Sequence, residues 1–374
     1  MNNQKIIFLL FIIVFGALTS AYLLVPGWLD PDAYGFFNQN CHNTNDIETP
    51  LLSYFVLQSL PCNEIVWKMF GLLLIFTIFS SFYYASKKMN IPPKYSFIIG
   101  LSGYLIGFLW SPEDDMIAYP LLIASTFWLF EKPKERIIHY SIISLLIGLL
   151  IWKGAFLIMG LIILCVIHPL LGIVGIVYYF PNFFNSWGNS AEVIWGAGYF
   201  INNFILMITL VILFLQRLPK HIITILIVLM ILVFFQAKWG EYLIIPCFTI
   251  IGLYREKIRE YENLFIILGV IMTIIFTSFL FLTITPTTNQ WEIINEANSI
   301  QKNGGILYND WGLGHHLEYL GGTPSQKGGY HGSYNPKEPV FYYLGFGEPF
   351  AGYDCQITKE ADGLSIEKCI KKES

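Results

Sequence analysis

An apolar run of about 20 residues has few resting places other than a bilayer, and this chain of 374 residues repeats runs of that kind about eleven times. They lie at about 6–25, 64–85, 95–110, 117–130, 137–152, 154–168, 169–181, 195–215, 221–236, 240–254 and 263–285. The longest reach across a hydrocarbon core of about 30 Å unaided, and the shorter ones need tilted neighbours. Charged residues make up 13% of the chain and hydrophobic ones 55%, where an average soluble protein carries about 25% charged. The expected fold class is an α-helical polytopic membrane protein of about eleven transmembrane helices, followed by a small external α/β domain. The first run follows Lys5 and is read as a retained anchor, since its apolar stretch exceeds a signal-peptide core. The net charge of −4 is sorted by loop, and no basic patch with interleaved aromatics points to nucleic acid.

Orientation follows from the basic loops. Lys87, Lys88 and Lys94, then Lys132, Lys134 and Arg136, then Arg217 and Lys220, then Arg255, Lys257 and Arg259 occupy every second connection. The positive-inside rule assigns these to the cytoplasm with Lys5, and an odd number of spans leaves 286–374 outside. Two domains are expected, a transmembrane domain over 1–285 and an external domain over 286–374. In the second, glycine pairs punctuate Tyr-rich segments, 290–301 reads as a helix and 305–308 as a short strand. The segment 26–63 is long for a connector and reads as an ordered functional loop. Cys41, Cys62, Cys355 and Cys369 all fall outside, where Cys41–Cys62 and Cys355–Cys369 bridges are expected, and no Cys/His spacing indicates zinc.

On the same outer side lie a few marks that carry chemistry. Asp32 follows the first run in Asp30-Pro31-Asp32-Ala33-Tyr34, where an ordinary turn is the plainer reading. Glu113, Asp114 and Asp115 crowd a tight outer loop, and such acids repel one another unless a hard divalent cation binds there. Glu192 stands alone in an aromatic outer loop. Lys238 could clamp a phosphate at the membrane surface or simply snorkel. Asp310 and Trp311 begin Asp310-Trp311-Gly312-Leu313-Gly314-His315-His316, whose adjacent histidines point in two directions and so make a poor metal pair. Carboxylates converging on one membrane face are a functional-site hypothesis.

In order and spacing these segments resemble the catalytic subunit of oligosaccharyltransferase, in the C-type glycosyltransferase superfamily. That family carries an Asp motif after its first span, an Asp-x-Asp-Met motif, a later Glu motif, an Arg-Phe-x-x-Tyr segment and an external Trp-Trp-Asp-Tyr-Gly motif. The matching positions are Asp32; Glu113 to Met116; Asn189 to Glu192; Lys238 through Pro246; and Trp311 to Gly314. Two departures stand out. The family's acid that grips an acceptor hydroxyl is Gly312, with Asp310 two residues away, and its phosphate-contacting Arg is Lys238.

The resemblance implies an inverting, metal-dependent membrane glycosyltransferase. A glycan would pass from a polyprenyl phosphate or pyrophosphate carrier to an asparagine of a polypeptide on the external face. It further implies Mn²⁺ or Mg²⁺ held by Asp32, Glu113, Asp115 and Glu192, with Asp32 and Glu192 also engaging the acceptor amide. Lys238 would contact the donor phosphate, and Asp310, Trp311 and Gly312 the acceptor. The partners implied are a lipid-linked oligosaccharide, an acceptor polypeptide and membrane lipid. A transferase using a single-sugar lipid phosphate is the alternative within the superfamily. A transporter or assembly subunit is the alternative outside it, although a transporter would carry its acids near mid-membrane.

Overall fold

The structure is a computed structural model that describes residues 31–42, 50–88, 114–151, 154–175, 219–235, 286–323, 336–346 and 350–372, with positions 9, 13, 16, 17, 19, 20, 22–24, 178, 271 and 325. The chain divides into two compact units. The first includes Glu48–Gly188 and the helix Lys220–Phe235, and the second includes Asp30–Ile47 and Thr283–Ser374.

Helices α2 (Leu51–Gln58), α3 (Glu64–Lys88), α4 (Asp114–Glu131), α5 (Pro133–Leu150), α6 (Gly154–Ile167) and α7 (Lys220–Phe235) build the first unit. Asn63 starts α3 by accepting the backbone N–H groups of Ile65 and Val66 on its side chain. Pro133 opens α5 at the first helical position, where its missing N–H costs nothing. Buried polar groups tie the helices together. Thr126 on α4 meets the Tyr140 hydroxyl on α5 at 2.9 Å, and the Ser53 hydroxyl on α2 donates to the Ile151 carbonyl at 2.7 Å. Lys68, 1% exposed, pairs with Glu64 at 2.6 Å and lies over the Tyr22 ring. Gly148 lets α5 and α6 approach closely, since a β-carbon there would fall 2.6 Å from the Phe156 ring.

This architecture corrects the many-span expectation. Among the described residues one helix, Glu64–Lys88, is long and apolar enough to cross a membrane. The apolar runs after it are cut into shorter helices by their own punctuation. Helix α4 holds Asp114, Asp115 and Glu131 within its 18 residues, and α5 opens on Lys134, Glu135 and Arg136. Helix α6 spans 14 residues, or about 21 Å at 1.5 Å per residue, before His168 and Pro169 interrupt it. The hydropathy of a run does not set the length of its helix. The runs expected near 95–110, 195–215 and 240–254 lie outside the described residues.

The second unit places a helix against a mixed sheet. Helix α8 (Thr288–Lys302) begins with a capping box, in which Gln290 N–H donates to Thr287 Oγ1 and Thr287 N–H donates to Gln290 Oε1. Strand β1 (Leu307–Asn309) leads into helix α9 (Trp311–Tyr319), followed by β2 (Val340–Gly345), β3 (Tyr353–Ala361) and β4 (Leu364–Lys371). The sheet order is β1-β2-β4-β3, with β1 and β2 parallel and the other pairs antiparallel. Asp362 and Gly363, both at positive φ, make the two-residue turn between β3 and β4. The Asp362 carboxylate then accepts from Thr287 Oγ1 and Asn289 Nδ2, which fastens the hairpin tip to the start of α8. Phe341, Tyr343, Tyr353 and Cys369 form the core on one side of the sheet, and Cys355 bonds Cys369 directly across the β3–β4 pair. Cys41 and Cys62 are also half-cystines.

Candidate functional site

Helix α1 (Pro31–His42) carries Asp32 at its second position and belongs to the second unit with α9, which starts at Trp311. Pro31 fits the first helical position and an acid in the first turn complements the helix dipole, so the sequence opens a helix where a turn was the plain reading. The aromatic residues behind Asp32 then give α1 a face to bury. Tyr34 and Phe37 are nearly inaccessible, as are Leu317 and His316 on α9.

The two helices meet through rings and one polar pair. The Tyr34 ring lies 4.7 Å from the His316 imidazole and 5.6 Å, edge-on, from Tyr319, while Phe37 packs 5.8 Å from Tyr319. Trp291 of α8 closes the cluster at 5.4 Å from His316 and 6.1 Å from Tyr319. Asn38 donates through Nδ2 to Glu318 Oε2 at 3.2 Å, and both side chains are buried. A buried carboxylate is costly without such a donor, so this bond fixes how the helices register.

The entry into α9 is set by Asp310. Its carboxylate accepts the Tyr343 hydroxyl on Oδ1 and the Phe346 N–H on Oδ2, and its own N–H donates to the Leu344 carbonyl. Asp310 thus ties the β1–α9 junction to the end of β2. Its carboxylate caps no N–H of α9, because it is committed to the sheet. At the other end, Gly321 at φ +76 closes α9, and Asn298 and Gln301 of α8 hold the residues that follow. On the far side of β1 the Tyr308 hydroxyl donates to Glu338 Oε2 at 2.9 Å. Desolvation, with the Glu338 carboxylate beside it, pushes the Tyr308 phenol up to about 12. The Glu338 carboxyl lies below its ordinary value, chiefly through its own backbone N–H and then through Tyr308.

The expected site residues fall into three sets. Asp32, Asp310, Trp311 and Gly312 share the second unit. Asp115 sits at the second position of α4, in the first unit. Glu113, Glu192 and Lys238 lie outside the described residues. Of the four expected ligands of Mn²⁺ or Mg²⁺, the two described ones, Asp32 and Asp115, therefore stand in the opening turns of helices that belong to different units. Cys355, Glu367 and Cys369 also come within ligand distance of one another, but the two sulfurs are spent on their disulfide.

Sequence reasoning missed His316 and Glu318 as buried residues and missed α1 as a helix. The signal for α1 and for His316 was the spacing of Tyr34 with Phe37 and of His316 with Tyr319 at a helical interval of three residues, and no local pattern marks Glu318. Comparison of the chain with known protein-family models and with curated protein sequences finds no match.

Proposed function

We propose that this chain is a membrane-associated glycosyltransferase, moving a glycan from a polyprenyl phosphate or pyrophosphate carrier to an asparagine of an acceptor polypeptide. The observation that carries the reading is the packing of α1 on α9 through Tyr34, His316, Asn38 and Glu318. It joins the helix opened by Asp32 to the helix opened by Trp311, two segments far apart in sequence that the resemblance assigns to one reaction. Helix α3 supplies a segment able to cross a membrane.

In this reading Asp32 accepts a hydrogen bond from the acceptor amide and takes up one of its N–H protons as the nitrogen attacks the anomeric carbon from the face opposite the carrier. The glycosidic bond to the carrier phosphate breaks and configuration inverts. Lys238 stabilises the departing phosphate. A bound Mn²⁺ or Mg²⁺, as the resemblance implies, would supply further charge stabilisation there. Trp311 packs the acceptor, and Asp310 acts as a positioning residue through the β1–α9 junction. Gly312 offers no carboxylate to an acceptor hydroxyl, so discrimination between Asn-x-Thr and Asn-x-Ala peptides is expected to be weak.

The test is a membrane preparation containing the chain, incubated with a lipid-linked oligosaccharide and an Asn-x-Thr peptide. Glycopeptide should form, disappear with chelator and return with Mn²⁺ or Mg²⁺. Transfer from a single-sugar lipid phosphate alone would favour the alternative donor. Consumption of neither donor would overturn the reading.

A further inference from the structure

Helices α3, α4 and α5 leave an open apolar groove of about 750 Å³ between them. Ser80 and Tyr84 of α3, Leu121, Ser125 and Trp128 of α4, and Leu146 of α5 line it. The serine hydroxyls do not make it polar, since Ser80 donates to the Phe76 carbonyl and Ser125 to that of Leu122 within their own helices. The helices that line it expose further apolar side chains. Phe76 is 56% exposed, Ile142 53% and Leu149 58%. Exposed apolar area of this extent marks a surface that something else covers.

One end of the groove says what covers it. Lys88 lies 5.7 Å from the centre of the Tyr84 ring and Arg136 lies 4.8 Å from that of Trp128, so two of the lining rings each carry a cation. Arg136 spends only its Nη1, on the Trp128 carbonyl and on Glu131, which leaves the Nε and Nη2 donors of its fork. Lys87, Lys88, Lys132, Lys134 and Arg136 gather here against Glu131 and Glu135, an excess of positive charge. An apolar slot closed at one end by cations is complementary to a hydrocarbon chain that ends in an anion.

We propose that this groove seats one acyl chain of an anionic membrane phospholipid, with its phosphate at Arg136 and Lys88. Cationic residues beside a membrane helix draw anionic lipid from the adjoining leaflet, and cation–π contacts hold the two side chains at the groove mouth. The site lies at the basic end of α3 and needs none of the residues proposed for glycan transfer.

The full chain, reconstituted in phosphatidylcholine vesicles, would be titrated with spin-labelled phosphatidylglycerol and separately with spin-labelled phosphatidylcholine. The motionally restricted fraction should favour phosphatidylglycerol by at least about fivefold, the preference expected from a single cation contact near a membrane surface, of which this site has two. Lys88→Gln and Arg136→Gln should each reduce that preference, and Leu121→Trp should shrink the restricted fraction by filling the groove. Arg136→Gln also removes the bond to the Trp128 carbonyl and could loosen the α4–α5 turn, whereas Lys88 is exposed and its substitution leaves the fold intact. Equal restriction of the two lipids would overturn the proposal, as would a preference that survives Lys88→Gln and Leu121→Trp. Displacement of the labelled lipid by free inorganic phosphate would also overturn it, by showing a phosphate site and not a lipid one.

Discussion

The Nδ2 of Asn38 donates to Oε2 of Glu318 across 3.2 Å, joining the first helix of the second unit to a helix 280 positions later in the chain. Loss of either partner strands a buried polar group. Asn38→Leu should therefore lower unfolding free energy by about 1–3 kcal/mol, whereas Glu318→Gln, which keeps the shape and an acceptor oxygen, should cost less. The double variant Asn38→Leu/Glu318→Leu should be less destabilised than the sum of its single variants. Denaturant unfolding of these variants and of Glu318→Leu alone checks this, and strict additivity would show that the pair is not coupled.

Alkaline pH should weaken the second unit through Tyr308. Its phenol is held up to about 12 by desolvation and by Glu338, so the folded state keeps a proton that the unfolded chain releases near pH 10. That stabilising contribution is complete below about pH 10 and is lost as pH rises towards about 12. Glu338 works in the opposite range. Its carboxyl is held below the usual value of 4.5, so its contribution is present above that value and fades as pH falls through the folded one. Unfolding followed against pH in wild type and Tyr308→Phe should give a shallower alkaline slope in the variant.

The Cys355–Cys369 bridge closes a short loop, with a sequence separation of 14. Replacing both residues with alanine should cost about 3 kcal/mol, by the loop entropy that the unfolded chain regains. Since the bridge faces the Phe341, Tyr343 and Tyr353 rings, near-ultraviolet circular dichroism should change with it. Unchanged stability would mean that the hairpin turn at Asp362-Gly363 fixes the β3–β4 register without help.

Gly322 has no room for a side chain. A β-carbon there would lie 2.8 Å from Asn298 Oδ1 and 3.0 Å from the Leu317 carbonyl. Gly322→Ala should destabilise the α8–α9 packing by about 1–3 kcal/mol, a typical cost of overpacking. Thermal unfolding is the check, with Gly160→Ala in α6 as a control, because nothing lies within 4 Å of a β-carbon there and its φ is not positive.

Local signals were legible and long-range ones were not. The helix expected over 290–301 runs Thr288–Lys302, because Thr287 and Gln290 spell out a capping box and Gly304-Gly305 stops it. The strand expected over 305–308 is Leu307–Asn309, and the Cys355–Cys369 bridge forms between residues that face one another on adjacent strands. Strand β2 escaped notice because its partners, β1 and β4, lie on either side of it at distances that no local pattern encodes. The many-span reading was misled by hydropathy, which registers apolar residues but not the Pro133 and Pro169 that cut the helices short. Asp310 was expected to contact the acceptor beside Trp311, and only the fold of β2 brings Tyr343 and Phe346 to its two oxygens.

The central claim is that Asp32 and Trp311 open two helices serving one transfer reaction. The most direct test is the initial rate of glycan transfer from a lipid-linked oligosaccharide to an Asn-x-Thr peptide, by wild type, Asp32→Ala and Trp311→Ala in matched membranes. The account predicts that Asp32→Ala cuts turnover by at least about a hundredfold, as for a group that stabilises a transition state. Trp311→Ala should instead raise the peptide KM with little effect on donor affinity. Wild-type rates from Asp32→Ala, at equal amounts of folded protein, would contradict it.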